Sequence, residues 1–310
     1  DCEMTEIKKK RKSPKSLLYS KKLAPYVFVA PFVLSFLVFF LYPSIETVYM
    51  SFMTMEGFNN PEFVGFDNYA RLFNYHFGNA ILTNTVYTVC VIAIMMTIPT
   101  LLAVLVNSKL LKLRNVFRAS IFIPSLVSAL IAGVAFRLMF SDMDSGLFNQ
   151  IRHLFGMESI AWNMSYGTGI LMMVTLDAWK SIGINMVYCL SALQTIPRDI
   201  YESAEIDGAN GVQKFWRITL PLLKPTLVYI FTLTIIAGYR MFTESYVYWV
   251  DTTPGDIGLT IVRYLYQMSF QRNDMGFGCA ICIVLLIIIM LINMIQLRGF
   301  GLFGKERDNA

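Results

Sequence analysis

Charged side chains lie inside long apolar stretches of this sequence. Asp177 and Lys180 are the two charged residues between Gly167 and Leu193. A charge near the centre of a membrane helix costs about 2.5 to 3.5 kcal/mol on insertion scales, so such residues are candidates for binding or proton transfer. Residues three apart share one helix face, so the two side chains either form a structural ion pair or serve a ligand.

Arg137 and Arg240 fall toward the ends of two other apolar runs. A long arginine side chain at such a position can extend its charge to the membrane surface. It can equally contact a polar substrate, because intramembrane charges are often functional. Both interpretations remain open from the sequence.

The other reactive residue types give weaker signals. Cys279 and Cys282 have the spacing of a redox or zinc site, but the run around them is apolar and no second pair or histidine is near in sequence. His76 and His153 have no cluster of ligands or nucleophiles around them. We therefore expect no metal site and no catalytic residue, and a membrane-embedded enzyme has little support.

The sequence also has no G-x4-G-K-[ST] phosphate loop, so we expect another chain to hydrolyse nucleotide if ATP is used.

The composition predicts a membrane protein. Of 310 residues, 55% are hydrophobic and 15% are charged, whereas soluble domains have about 25% charged residues. Crossing the bilayer core takes roughly 20 apolar residues in a helix. Six apolar runs meet this requirement approximately, and they are Leu23 to Ile45, Ile81 to Val106, Ala119 to Phe136 (extendable to Phe140), Gly167 to Leu193, Pro225 to Tyr239, and Met275 to Leu297.

The distribution of Lys and Arg predicts the orientation. One set of alternate connections carries nineteen of these residues and the other carries four, and basic residues favour the cytoplasm. Both termini are therefore expected inside. A basic cluster at positions 8–22 could also be a nucleic-acid arm, but in this composition a cytoplasmic anchor is the preferred interpretation, with no nucleic acid as a partner. The predicted organisation is a basic cytoplasmic tail (1–25), a six-helix transmembrane domain (26–300) and a cytoplasmic tail (301–310).

Residues 197–221, between the fourth and fifth runs, have a helix-turn-helix pattern. Pro197 favours the start of a short helix, and Gly208 to Gly211 favour its end. Pro221 and Pro225 are expected to redirect the chain into the fifth run. The acidic residues of the first helix would then be available to a partner; these are Glu202, Glu205 and Asp207. The simpler alternative is an ordinary amphipathic connector.

This loop resembles the EAA signature of ABC importer permeases, E-A-A-x3-G-x9-I-x-L-P. The matching residues, with every spacing kept, are Glu202, Ser203, Ala204, Gly208, Ile218, Leu220 and Pro221. Ser203 replaces the first alanine of the signature, which is one small residue for another. Asp207 and Ala209 complete the D-G-A variant that is typical of the branch that carries sugars. Phe63 to Tyr69 is similar to a segment common in that branch, F-V-G-L-x-N-Y.

The resemblance extends over nearly the whole chain to the larger permease of maltose-type carbohydrate importers, in a shorter six-span form. It implies an all-α membrane protein with the type I ABC importer permease fold in the bacterial cell membrane. The implied partners are a second, different permease, two ATPase subunits that bind ATP and Mg, and an extracellular sugar-binding protein. This chain would be a non-catalytic subunit without a cofactor of its own, and its loop 197–221 would couple ATPase closure to alternating access.

The same resemblance implies which residues line a sugar path near mid-membrane. They are Trp179, Ser181 and Ile184 before the loop, and Leu233, Ala237 and Arg240 after it. Trp179 suits a sugar because its apolar face can stack on the C–H surface of the ring. Since Ile184, Leu233 and Ala237 lack the polar groups of a maltose site, either the sugar differs or the partner permease makes most contacts. General similarity, including Leu18 to Tyr26, favours plant-derived oligosaccharides such as arabino-oligosaccharides.

The alternative from another class is a secondary transporter that uses Asp177 as a proton carrier. Such transporters usually show inverted repeats and broken helices in matching halves, and the sequence shows no such symmetry. Dependence of uptake on ATP rather than on a proton gradient would distinguish the two.

Overall fold

The computed structural model describes residues 23–56, 59–108, 111–250 and 253–301. Most of the predicted basic tail (1–25) and nearly all of the predicted C-terminal tail (301–310) lie outside the described residues. Within the described part, helices dominate, as expected for a chain that must satisfy its backbone hydrogen bonds inside lipid.

In the residues that the structure describes, five helices are long and apolar enough to cross a membrane. A sixth segment, described below as span 3, consists of two helices that meet at a bend. We number all six segments in chain order. The five long helices are span 1 (Ala24–Met50), span 2 (Tyr75–Asn107), span 4 (Tyr166–Thr195), span 5 (Gly211–Tyr239) and span 6 (Met275–Gly299). At 1.5 Å per residue, even the shortest exceeds the hydrocarbon thickness of about 30 Å.

The third run is not one straight helix, so the prediction of a continuous helix from Ala119 to Phe136 is wrong. Span 3 consists of two helices, Arg114–Leu126 and Ala129–Met139, which meet at an angle of 95°. Val127 and Ser128 between them have extended backbone, with ψ of 136° and 134°. Pro124 in the preceding turn also lacks a backbone N–H, so the helical ladder is already weakened there.

Pro221 and Pro225 do not redirect the chain as predicted, because span 5 is helical from Gly211 through to Tyr239. A π-helical turn at Phe215–Thr219 precedes Pro221, and the Leu220 N–H bonds to the Phe215 carbonyl five residues back. Local π-helical adjustment of this kind lets membrane helices accommodate proline.

The connections contain short elements. Between spans 1 and 2 lie an antiparallel hairpin, Met53–Glu56 paired with Asn59–Phe63, and the single-turn helix Asp67–Ala70. The all-α prediction did not include this hairpin. Spans 3 and 4 are joined through Leu147–Leu154, and spans 5 and 6 through Thr243–Tyr248, Pro254–Asp256, Ile261–Tyr266 and Gln267–Gln271.

Span 4 is at the centre of the packing. It packs most extensively against span 2, and it also contacts both helices of span 3 and the apolar part of span 5. The buried side chains between spans 2 and 4 include Tyr87, Met95, Met173 and Met186. Gly183 allows span 3 to approach, because a Cβ there would lie 2.3 Å from the Ile121 carbonyl oxygen. Small residues allow membrane helices to pack this closely.

Candidate functional site

The loop between spans 4 and 5 forms a compact helix-turn-helix. Its first helix, Arg198–Ile206, follows Pro197 directly. Gly208 ends it with a φ of +79°, a conformation that glycine adopts without steric cost. The Ala209 N–H then donates to the Ala204 carbonyl at 2.8 Å, which satisfies one of the last free carbonyls of the helix.

The second half of the loop is also fixed by local hydrogen bonds. Asn210 and Gln213 form a capping box in which each side chain accepts a hydrogen bond from the other's backbone N–H. Lys214 donates to Glu205 at 2.7 Å, which ties the two helices together. The loop therefore continues into span 5 as a structured unit. Glu205 is engaged within the loop, while 62% of its side chain remains exposed.

The motif residues divide by exposure. Glu202, Ser203, Asp207, Gly208 and Pro221 are exposed, whereas Ala204, Ala209, Ile218 and Leu220 are partly buried.

Apolar side chains of the same loop are also exposed. Ile206 is 87% exposed, Val212 68% and Trp216 61%. Exposed apolar side chains of this kind are typical of a surface that contacts a protein partner or the membrane. Glu202 lies on the same first helix as Ile206, so this surface combines apolar and acidic groups.

A cavity of about 180 Å³ lies between spans 2, 4 and 5. Its lining residues are Val91, Met95, Asp177, Ser181, Ile184, Asn185, Tyr188, Leu233, Thr234 and Ala237. Four of the residues predicted to line a sugar path are among them: Ser181, Ile184, Leu233 and Ala237. The structure therefore brings both sides of that predicted path, before and after the loop, to one cavity.

Asp177 in this cavity is held by two hydroxyl groups. Tyr87 donates to one carboxylate oxygen at 2.9 Å, and Ser181 donates to the other at 2.7 Å. No ion pair joins Asp177 to Lys180, although both residues are described and share a helix face. The structural ion pair considered from the sequence is therefore not formed, because the carboxylate faces span 2.

Trp179 does not line the cavity. Residues of an α-helix are separated by about 100° each, so Trp179 points about 200° away from Asp177 around the axis of span 4. Its ring instead packs against Phe136 of span 3, with centroids 5.5 Å apart, and 40% of it is exposed.

Arg240 and Arg137 also lie away from the cavity lining. Arg240 follows the last residue of span 5 and is exposed, one turn beyond Ala237 on the same face. Arg137 lies in the last turn of Ala129–Met139 and is exposed. Both residues lie at helix ends, from which a long side chain can reach the membrane surface or a polar ligand near it.

A second hollow continues from the cavity toward the loop. It has a volume of about 520 Å³ and is lined by Tyr188, Ser191, Ala192, Thr195, Pro225, Thr226 and Tyr229. Tyr188 borders both spaces, and its ring meets that of Tyr229 edge to face at 5.6 Å. Spans 4 and 5 thus border both hollows.

Three hydrogen-bonded residues in the connection between spans 3 and 4 form a cluster that the sequence did not indicate. His153 contacts the Ser159 hydroxyl at 2.9 Å, and Ser159 donates to Asp144 at 2.5 Å. This hydrogen bond lowers the pKa of the Asp144 carboxyl. Since the serine donates to aspartate and not to histidine, the histidine does not activate it as a nucleophile. The three residues are far apart enough in sequence that spacing alone did not indicate the group.

In the part of the chain that the structure describes, no three His, Cys, Asp or Glu side chains are placed to hold a metal ion. Cys279 and Cys282 are free thiols in span 6.

Comparison with known proteins identifies the chain. Residues 91–298 match the model of the family described as binding-protein-dependent transport system inner membrane component. The chain belongs to this family. It is a multi-pass permease of the inner membrane and a sugar transporter subunit of the ABC class, and its family consists of non-catalytic permease subunits. The EAA motif in loop 197–221 is characteristic of the family. A proton-coupled secondary transporter that uses Asp177 is not favoured.

Two relatives cover most of the permease. The arabinooligosaccharides transport system permease protein AraP of Bacillus subtilis is 48% identical over 292 residues, which are 94% of this chain and 93% of the relative. The protein of the same name from Halalkalibacterium halodurans is 47% identical over 286 residues, covering 92% and 90%.

A solved structure shares the fold. A chain of a bacterial ABC transporter involved in the import of the acidic polysaccharide alginate matches with a TM-score of 0.80 and 22% identity, covering 91% of this chain and 96% of that one. The type I ABC importer permease fold predicted from the sequence is confirmed.

Proposed function

We propose that this permease imports arabino-oligosaccharides as one half of a heterodimeric membrane unit. Its partners are a second, different permease, two ATPase subunits that bind ATP and Mg, and an external binding protein that delivers the sugar. Two relatives at 47% and 48% identity, both named as arabinooligosaccharide permeases, support this substrate. A related solved structure contains a periplasmic protein bound to an alginate pentasaccharide, which supports a binding protein as a partner.

The observation that carries the coupling role is the surface of loop 197–221. Glu202 and the apolar side chains of Ile206, Val212 and Trp216 are exposed together on a helix-turn-helix that leads directly into span 5. Docking of an ATPase subunit would cover these apolar groups. Because the loop is internally hydrogen-bonded, it would move with the ATPase as a unit and rotate the adjoining helices.

Substrate would pass between spans 4 and 5. The cavity near mid-membrane has a volume of about 180 Å³, whereas complete ligand pockets measure about 300 to 1,000 Å³. The facing permease would supply the rest of the site. Trp179 and Arg240, which lie outside the cavity within this chain, would contact sugar from surfaces that the partner helps to enclose.

A charge reversal on the loop tests this function. We expect Glu202→Lys to prevent copurification of the ATPase and to abolish sugar-stimulated ATP hydrolysis in vesicles that contain the complete transporter and binding protein. The exposed acidic residue Glu158 in the connection between spans 3 and 4 provides a matched control, and Glu158→Lys should leave both properties unchanged. Normal ATPase binding and hydrolysis in Glu202→Lys would show that the loop is only a connector.

A further inference from the structure

The cavity between spans 2, 4 and 5 has one charged residue in its lining, the Asp177 carboxylate. We propose that Asp177 makes the permease selective for neutral oligosaccharides, because it accepts hydrogen bonds from sugar hydroxyls and repels the carboxylates of acidic sugars. This inference rests on the proposed function, since it assumes that sugar enters the cavity.

The hydrogen-bond donors of the cavity are already largely engaged. The hydroxyls of Tyr87 and Ser181 donate to Asp177, and the Thr234 hydroxyl donates to the Ile230 carbonyl at 2.8 Å. The Asn185 amide N–H₂ donates to the Ser181 carbonyl at 2.9 Å and to the Met95 sulfur, a weak acceptor, at 3.4 Å. Among the described lining residues, Tyr188 is the remaining side chain with an uncommitted donor. An acidic sugar needs donors for its carboxylates, and this wall supplies few.

Acceptor capacity, in contrast, remains. An ionised carboxylate has about four lone-pair sites, and the two hydroxyl groups of Tyr87 and Ser181 occupy two of them. The same two donors fix the carboxylate in one orientation, so it need not reorganise when a ligand arrives. Hydrogen bonds to an ionised acceptor are roughly twice as strong as neutral ones, so sugar hydroxyls are suitable ligands.

Nearby charges do not occupy these lone pairs. Lys180 is neither bonded to Asp177 nor part of the cavity lining. Burial raises the pKa of the Glu244 carboxyl in Thr243–Tyr248, so the charge that faces the cavity is that of Asp177. A uronate carboxylate in the cavity would therefore approach a like charge where water is scarce and screening is weak.

The test is direct binding to the complex of both permeases and the ATPase subunits in lipid nanodiscs, without the binding protein, whose own selectivity would interfere. The probes are arabinotriose, which is neutral, and trigalacturonate, an acidic sugar of the same length. We expect the native complex to prefer arabinotriose. Asp177→Asn should weaken arabinotriose binding on the order of 10- to 100-fold and reduce the preference for it over trigalacturonate.

Three further variants make the result specific. Asp142→Asn removes a carboxylate charge from the connection between spans 3 and 4 and should retain native binding and preference. Tyr87→Phe removes a donor to Asp177 but keeps its charge, so the preference for the neutral probe should persist. Ala237→Trp fills the cavity and should abolish binding of both probes.

The outcomes separate the two proposals. If Asp177→Asn keeps the native preference while Ala237→Trp abolishes binding, sugar enters the cavity but Asp177 does not select it, and this inference is overturned. If Ala237→Trp binds arabinotriose normally, or the native complex binds neither probe, the cavity is not the sugar site. That result overturns the proposed substrate path together with this inference.

Discussion

Arg263 is a buried arginine in the connection between spans 5 and 6, with 1% of its surface exposed. Its guanidinium donates to the Ser245 carbonyl at 2.7 Å and to the Trp249 carbonyl. Both acceptors belong to the segment around Thr243–Tyr248, which follows span 5. Arg263 therefore connects its own helix, Ile261–Tyr266, to the helix Thr243–Tyr248.

Replacing this arginine should destabilise the connection. We expect Arg263→Met to lower the free energy of unfolding by about 1 to 3 kcal/mol, because buried carbonyl groups lose their donor. Thermal unfolding of the permease in detergent measures this effect. Arg272→Met provides the control, since Arg272 is exposed and its loss should change stability little. Equal stability of the two variants would contradict a bracing role for Arg263.

At the level of single residues, the sequence indicated which residues lie near the cavity better than it indicated where their side chains point. Ser181, Ile184, Leu233 and Ala237 meet at one cavity as the resemblance implied. Trp179 does not, because it lies two positions before Ser181 and this spacing places the two side chains on different faces of a helix. Arg263 is one of the four basic residues in the second set of connections, and nothing in its neighbours along the chain indicates burial.

The packing of span 4 against span 3 depends on backbone proximity more than on apolar side chains. The Ser125 hydroxyl donates to the Lys180 carbonyl at 2.8 Å, which requires the helices to be in close contact. Gly183 makes room for this contact. The break at Val127 and Ser128 depends on backbone angles within a mostly apolar stretch, so the hydropathy of the run predicts its length but not its bend.

A side chain at the contact should separate the two helices. We expect Gly183→Ala to destabilise the permease by about 1 to 3 kcal/mol, because the added Cβ would overlap the Ile121 carbonyl. Gly167→Ala in the same span is the matched control, since a Cβ there would meet nothing within 4 Å. Thermal unfolding and sugar-stimulated ATP hydrolysis are the measurements. A Gly183→Ala variant as stable as Gly167→Ala would show that span 3 adjusts its position readily.

For the whole molecule, the number of apolar segments was predictable because crossing lipid requires length and hydropathy that few other structures share. The helix-turn-helix of loop 197–221 was predictable because Pro197 and Gly208 mark the start and the end of its first helix. The short helices of the connection between spans 5 and 6 were not, because their stability derives from contacts with distant parts of the chain. Thr260, for example, donates to the Met241 carbonyl at 3.0 Å.

The orientation of the six spans is a prediction for the whole molecule. With the bent pair counted as one crossing, the connections that carry nineteen of the basic residues all lie on one side, which the positive-inside rule places in the cytoplasm. Single cysteines at Asn115 and Gly211 in a cysteine-free background should therefore react with a membrane-impermeant reagent only after the cells are opened. A cysteine at Ser145 should react in intact cells. If Gly211→Cys were labelled from outside, loop 197–221 could not reach an ATPase in the cytoplasm. If Asn115→Cys and Ser145→Cys were labelled from the same side, span 3 would be a re-entrant segment instead of a crossing, because its two helices would return the chain to its starting surface.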